Sequence, residues 1–207
     1  MTQGYVIRGA SAKFYSFKSF LRGQSRLYAK MAEIIRLGPG QKLLDVGCGT
    51  GELLFRLAKK YGEGVELHGI DPSEDMIKIA RKRAKRGGPF VSFQIGEGES
   101  LPFADESFDW VVSSLAMHHM PLPGKKQALS EIHRVLRPGG WALITDWCEP
   151  RGILGKALTY LNRNHAYIHD NLAGFLSVGI AEAGLHIVST TIQFGIYHHI
   201  LAKRDIF

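Results

Sequence analysis

The sequence predicts an α/β fold, a parallel sheet covered on both faces by helices. Short apolar runs at 41–46, 65–70, 90–95, 108–114 and 140–146 alternate with amphipathic segments at 51–61, 74–86 and 125–136. That alternation makes βα units whose strands pair in parallel. A glycine-rich turn joins the first run to the first amphipathic segment, and two further runs close the chain. These last runs, Leu185–Gln193 and Gly195–Lys203, meet at Gly195 and are close enough in sequence to pair antiparallel. A helix over Leu172–Ala183, stopped by Gly184, precedes them.

The first junction, LLDVGCGTGELL over Leu43–Leu54, is the most informative stretch. An apolar run reaches Asp45, then Gly47, Gly49 and Gly51 follow at alternate positions, then a helical pattern begins. Such a loop lets a ligand lie against bare main chain at a helix start. A dinucleotide site would space its glycines G-x-G-x-x-G, but here the third comes one position early and Glu52 stands where glycine or alanine belongs. An acid in the first helical turn repels a diphosphate and tolerates a cation. The second run ends in Asp71, whose carboxylate can accept from two ribose hydroxyls. Further on come strand, acidic turn and Leu-Pro-Phe across Pro89–Met120, then a helix, Pro138-Gly139-Gly140 and a fifth strand.

In that order these motifs resemble the class I S-adenosylmethionine (SAM) dependent methyltransferases, in the small-molecule branch that includes quinone-biosynthesis and lipid methylating enzymes. The likeness is close over roughly 35–147 and loose over the last 35 or so residues. It implies a Rossmann-like three-layer fold with a seven-stranded, mostly parallel sheet and an antiparallel last strand. It implies SAM as cofactor and S-adenosylhomocysteine as product. The cofactor-binding residues it implies are Asp45, Gly47, Cys48, Gly49, Gly51, Asp71, Pro72, Met76, Glu97, Gly98, Ser113 and Ser114. Among them Asp45 would lie near the amino group, Asp71 on the ribose, and Glu97 with the Gly98 N–H on the adenine. Motif I, Asp71, Glu97, His118 and Asp146 are expected to gather beyond the carboxyl ends of the strands. His118 and His119 follow the fourth strand, where the family brings the acceptor, and histidine is the side chain best poised to take a proton near neutral pH. The stretch reads SSLAMHH and lacks the Asn/Asp-Pro-Pro-aromatic motif of many nitrogen methyltransferases, which disfavours DNA-base or glutamine methylation.

Composition bounds the rest. With 207 residues, 45% apolar and 22% charged, the chain suits a single domain. It lacks the apolar stretch of a membrane span or signal peptide, so a cytoplasmic location is expected. Two cysteines, Cys48 and Cys148, make neither a disulfide framework nor a metal quartet, and no metal is expected. The net charge of +7 gathers partly in Lys78, Arg81, Lys82, Arg83, Lys85 and Arg86, which reads as a solvated helix end. Residues 1–36 are expected to form a helical lid. An apolar stripe with Phe14 and Phe17 lies opposite Lys18, Arg22, Arg26 and Lys30, and Gly23 breaks the run. That pattern also suits peripheral contact with an anionic membrane, and an acceptor with an apolar body and an acidic head. A second segment, 148–171, carries Tyr160, Asn162, Arg163, Asn164, His165, Tyr167, His169 and Asp170 and is expected to be a substrate-side insertion. The expected activity is methyl transfer to a small, amphiphilic quinol-, lipid- or phenol-like acceptor by in-line displacement. An RNA methyltransferase and a non-catalytic SAM-binding subunit are the alternatives. Nucleic acid is disfavoured because no RNA-binding module is visible.

Overall fold

The computed structural model describes residues 24–87, 91–161 and 167–206. Its strands are β1 (Lys42–Val46), β2 (Glu66–Asp71), β3 (Val91–Ile95), β4 (Phe108–Ser114), β5 (Leu136–Trp147), β6 (Leu185–Gln193) and β7 (Tyr197–Arg204). They form one sheet in the order β3-β2-β1-β4-β5-β7-β6. The pairs among β1 to β5 are parallel, and β7 runs antiparallel between β5 and β6. The helices are α1 (Gln24–Ile34), α2 (Glu52–Tyr61), α3 (Glu74–Gly87), α4 (Leu122–Val135), α5 (Gly152–Leu161), α6 (Ile168–Leu172) and α7 (Phe175–Glu182). The seven-stranded sheet and its antiparallel strand agree with expectation.

Because successive strand residues face opposite sides, each strand feeds two cores. Leu43 packs with Leu27, Met31, Leu57 and Val112 on one face. Its neighbour Leu44 packs with Val111, Leu129, Ile132 and Ile200 on the other. On the first face α1 lies against α2, tied by Arg56 donating to Ser25 Oγ at 2.9 Å and by Tyr61 Oη donating to the Ile35 carbonyl at 2.7 Å. The expected lid is therefore a packed helix in its described part; Phe14, Phe17, Lys18, Arg22 and Gly23 lie outside the described residues.

Three elements differ from the sequence reading. Strand β5 starts at Leu136 rather than at 140, since Leu136 already pairs with Phe108 and a register shift before Trp110 absorbs the Pro138-Gly139-Gly140 turn. The helix expected over Leu172–Ala183 is broken at Gly174, whose φ of 85° ends α6 and starts α7. The 148–171 segment carries two helices, with Asn162, Arg163, Asn164 and His165 outside the described residues. One cause lies far away in sequence. Lys125, in the first turn of α4, is fully buried and donates to the Tyr167 carbonyl at 2.7 Å and to Asp170 Oδ2 at 3.0 Å. Among the described residues no helix is long and apolar enough to cross a membrane.

Candidate cofactor and acceptor site

The glycine loop hangs from the end of β2. Gly47 N and Cys48 N both donate to the Ile70 carbonyl, at 2.8 and 3.0 Å. Asp71 Oδ2 accepts from Gly49 N at 2.8 Å while its Oδ1 accepts from Ser73 N at 2.9 Å. One carboxylate thus fixes the loop and the start of α3 together. Two of the glycines do different work. At Gly51 (φ 80°) a Cβ would come within 2.6 Å of the Phe93 ring, so this glycine is a packing requirement. At Gly49 (φ 53°) a Cβ would meet nothing within 4 Å, and the backbone there lies open.

The expected positions sit in differing surroundings. Cys48 is buried with its sulfur against Gly69, and burial pushes its thiol well up, so it contributes packing and backbone rather than a reactive thiolate. Glu52 is held by Arg83 at 2.8 Å and Arg56 at 3.2 Å. Its charge is matched within the protein, which removes the repulsive role read for it in the sequence. Two further α3 cations are likewise engaged: Arg81 donates to the Phe93 carbonyl through Nε and Nη2, and Lys78 pairs with Glu74. Pro72 is exposed, whereas Met76 is buried in the first turns of α3. Glu97 is exposed in the turn after β3, while Gly98 is buried where a Cβ would press on Val46 and Met120 at 3.1 Å. Ser113 and Ser114 are buried at the end of β4.

Beyond β4 the chain turns through Leu115 (φ 51°) into one 3₁₀ turn, Met117–His119. There His118 Nδ1 lies 2.8 Å from Asp146 Oδ1, and His118 N donates to Asp146 Oδ2 at 3.1 Å. Trp147 N donates to Oδ1 at 2.7 Å. Both side chains are buried. Burial works to raise the Asp146 pKa, but His118 and the two backbone N–H groups hold it below the usual carboxylate range. An ionised Asp146 keeps the proton of a neutral His118 on Nδ1, leaving Nε2 as the basic nitrogen. His119 lies against the His118 ring, 4.0 Å between centroids, and is only half-buried. The structure thereby separates two histidines that the sequence treats alike. One strand over, His199 bridges Thr145 Oγ1 (2.9 Å) and Gln193 Oε1 (3.0 Å). Burial, then Lys30 and His198, push its pKa down to about 4, so it is neutral in this bridge.

Residues 43–140 match a family model described as a methyltransferase domain. The chain is 38% identical over 164 residues to methyltransferase GfsG of Streptomyces halstedii, covering 78% of this chain and 54% of that protein. It is 34% identical over 122 residues to a demethylmenaquinone methyltransferase of Bacillus velezensis, covering 58% and 52%. Residues 43–140 therefore carry a methyltransferase domain, and the fold around them is that of the class I SAM-dependent methyltransferases. It spans about half the length of the curated relatives it matches. Among solved structures, a SAM-dependent methyltransferase from Aquifex aeolicus superposes with a TM-score of 0.70 at 22% identity, covering 85% of this chain and 88% of that one. The [4+2]-cyclase SpnF superposes with a TM-score of 0.73 at 22% identity, covering 100% and 88%. These likenesses establish the fold of this methyltransferase domain.

The residues present fit the family's cofactor. Asp45 is 1% exposed and its Oδ1 has no hydrogen-bond partner within the protein. Burial, and secondarily the charge of Asp71, push its pKa up to about 8. A desolvated carboxyl with an unused oxygen, two residues before the glycine loop, is suited to an ammonium group. The open backbone at Gly49 and the Asp71 carboxylate beside it would receive the methionine chain and the ribose.

Proposed function

We propose that this protein transfers a methyl group from SAM to a small acceptor whose nucleophile must lose a proton, a quinol-, phenol- or enol-like compound. The buried His118–Asp146 pair carries this reading. It lies at the carboxyl ends of β4 and β5, the side of a parallel α/β sheet where ligands bind, and it has the bonding of an oriented base. The relative named as a demethylmenaquinone methyltransferase agrees with the acceptor class.

Asp45 would hold the ammonium group, Asp71 the ribose hydroxyls, and Glu97 with the Gly98 N–H the adenine. When bound, SAM supplies a methyl group already activated for displacement. The chain's own task is to orient the acceptor, keep water out and take its proton. His118 Nε2 takes that proton, and Asp146 stabilises the imidazolium through Nδ1–H. Trp147 and Tyr197, packed edge to face at 5.3 Å beside the pair, supply apolar wall.

Calorimetric titration with SAM and S-adenosylhomocysteine, followed by methyl-transfer assays on quinols, phenols, lipids and amines, tests the proposal. One-to-one binding of both, with transfer to quinols or phenols, is the expected result. Binding without transfer to any of them would make the chain a SAM-binding subunit instead, and steep salt-dependent methylation of tRNA would favour the RNA alternative. Membrane contact through Phe17 and Arg22 concerns residues outside the described ones; retention of the full chain on anionic vesicles, lost on replacing both, is its test.

A further inference from the structure

Asn171 lies on α6, the short helix that packs against the Met117–His119 turn and against β5. Those are the elements that carry His118 and Asp146. Its side chain is 1% exposed, yet neither Oδ1 nor Nδ2 has a hydrogen-bond partner. Among the described residues it is the one carboxamide with both ends buried and unpartnered. Helical spacing puts Asn171 on the same face as Ile168, which is fully buried in the core that also holds Trp147 and Tyr197. The helix is not loosely placed, because Lys125 grips it at Tyr167 and Asp170.

Buried polar groups in folded proteins almost always have partners, and each one left without lowers stability. A carboxamide kept in that state, on a helix packed against the turn that carries an oriented base, is explained when a ligand completes it. We propose that Asn171 recognises the methyl acceptor, donating through Nδ2 and accepting through Oδ1. This rests on the methyl-transfer reading and deepens it by naming the acceptor group: a neutral one with a hydrogen-bond acceptor and a donor side by side, as in a hydroxyl next to a carbonyl. The neighbouring charges favour neutrality. Lys125 is matched by Asp170 and Asp146 is held by His118, so these charged side chains, the ones the described residues place here, are already paired and leave no cation for an acidic head.

The test compares the wild type with Asn171→Leu, and with Asn171→Ser in case leucine is not accommodated. Thermal unfolding, S-adenosylhomocysteine affinity, and KM for 2′-hydroxyacetophenone or another neutral acceptor with adjacent hydroxyl and carbonyl that the wild type methylates are the readouts. With its unpartnered amide gone, Asn171→Leu is expected to unfold about 2–4 °C higher. S-adenosylhomocysteine affinity stays unchanged, while KM rises roughly tenfold or more with kcat much less affected. An unfolding temperature that does not rise in the leucine variant, or an unchanged KM in both variants, overturns the proposal. If the wild type neither binds S-adenosylhomocysteine nor methylates any acceptor, the methyl-transfer reading fails, and the unfolding comparison still decides whether the amide is unpartnered.

Discussion

The two halves of the sheet are built under different rules. From β1 to β3 the site is made of backbone: a glycine turn, two amides on the Ile70 carbonyl, and Asp71 clamping Gly49 from 22 residues away. From β4 to β7 it is made of side chains brought from afar. His118 meets Asp146 across 28 residues, Lys125 meets Asp170 across 45, and Thr145 meets His199 across 54. A seat made of main chain accepts one ligand and tolerates many surface sequences. A wall of side chains can be refitted to new acceptors without disturbing that seat.

The division breaks most visibly at Asp146. Asp146→Asn should lower kcat by roughly 10²–10⁴ by releasing the His118 tautomer, with S-adenosylhomocysteine affinity unchanged. A comparable loss of cofactor affinity would show that the halves are not separable. Conversely, Asp71→Ala removes the proposed ribose acceptor and the Gly49 clamp and should weaken SAM by roughly 1–3 kcal/mol in a calorimetric titration.

Next comes pH. The raised pKa of Asp45, about 8, means the free protein holds that proton through neutrality. Its contribution to stability is full below the unfolded value and is lost as pH rises through about 8. Binding an ammonium group needs the ionised form, so S-adenosylhomocysteine affinity should rise about tenfold between pH 6.5 and 7.5. Asp45→Asn should flatten that profile; a profile already flat in the wild type would remove Asp45 from the ammonium site. The smallest effect is expected at Lys125. Lys125→Met leaves the Tyr167 carbonyl and half-exposed Asp170 without their donor and should cost about 1 kcal/mol of stability. In assays it should raise the acceptor KM and spare cofactor affinity.

The backbone half was the legible one. Gly47, Gly49 and Gly51 are written at fixed spacing, and a strand ending in Asp71 is readable because strand length and turn chemistry are local. His118 and His119 were legible as a pair, but which of them is oriented depends on Asp146, and no local pattern joins two residues on different strands. Lys125 reads in sequence like any lysine on a helix, and its complete burial follows from Tyr167 and Asp170, in a segment that the sequence marks as substrate-side and not as a helix contact. Asn171 gives no signal at all, being one polar residue in a stretch of many. The break at Gly174 was missed because the apolar pattern of 172–183 continues across it.

The position of β7 has a bearing on how this domain is synthesised. It is the last of the seven strands in sequence, yet it lies between β5 and β6. As the chain leaves the ribosome, β5 keeps one edge unpaired until residues 197–204 have emerged, and such edges invite pairing with other chains. The segment bearing Asp45 and Asp71 can close on itself long before that moment. The strand that flanks Thr145 and Asp146 cannot, so the side bearing the His118–Asp146 pair is completed last and is the part most exposed to arrest or mispairing at birth.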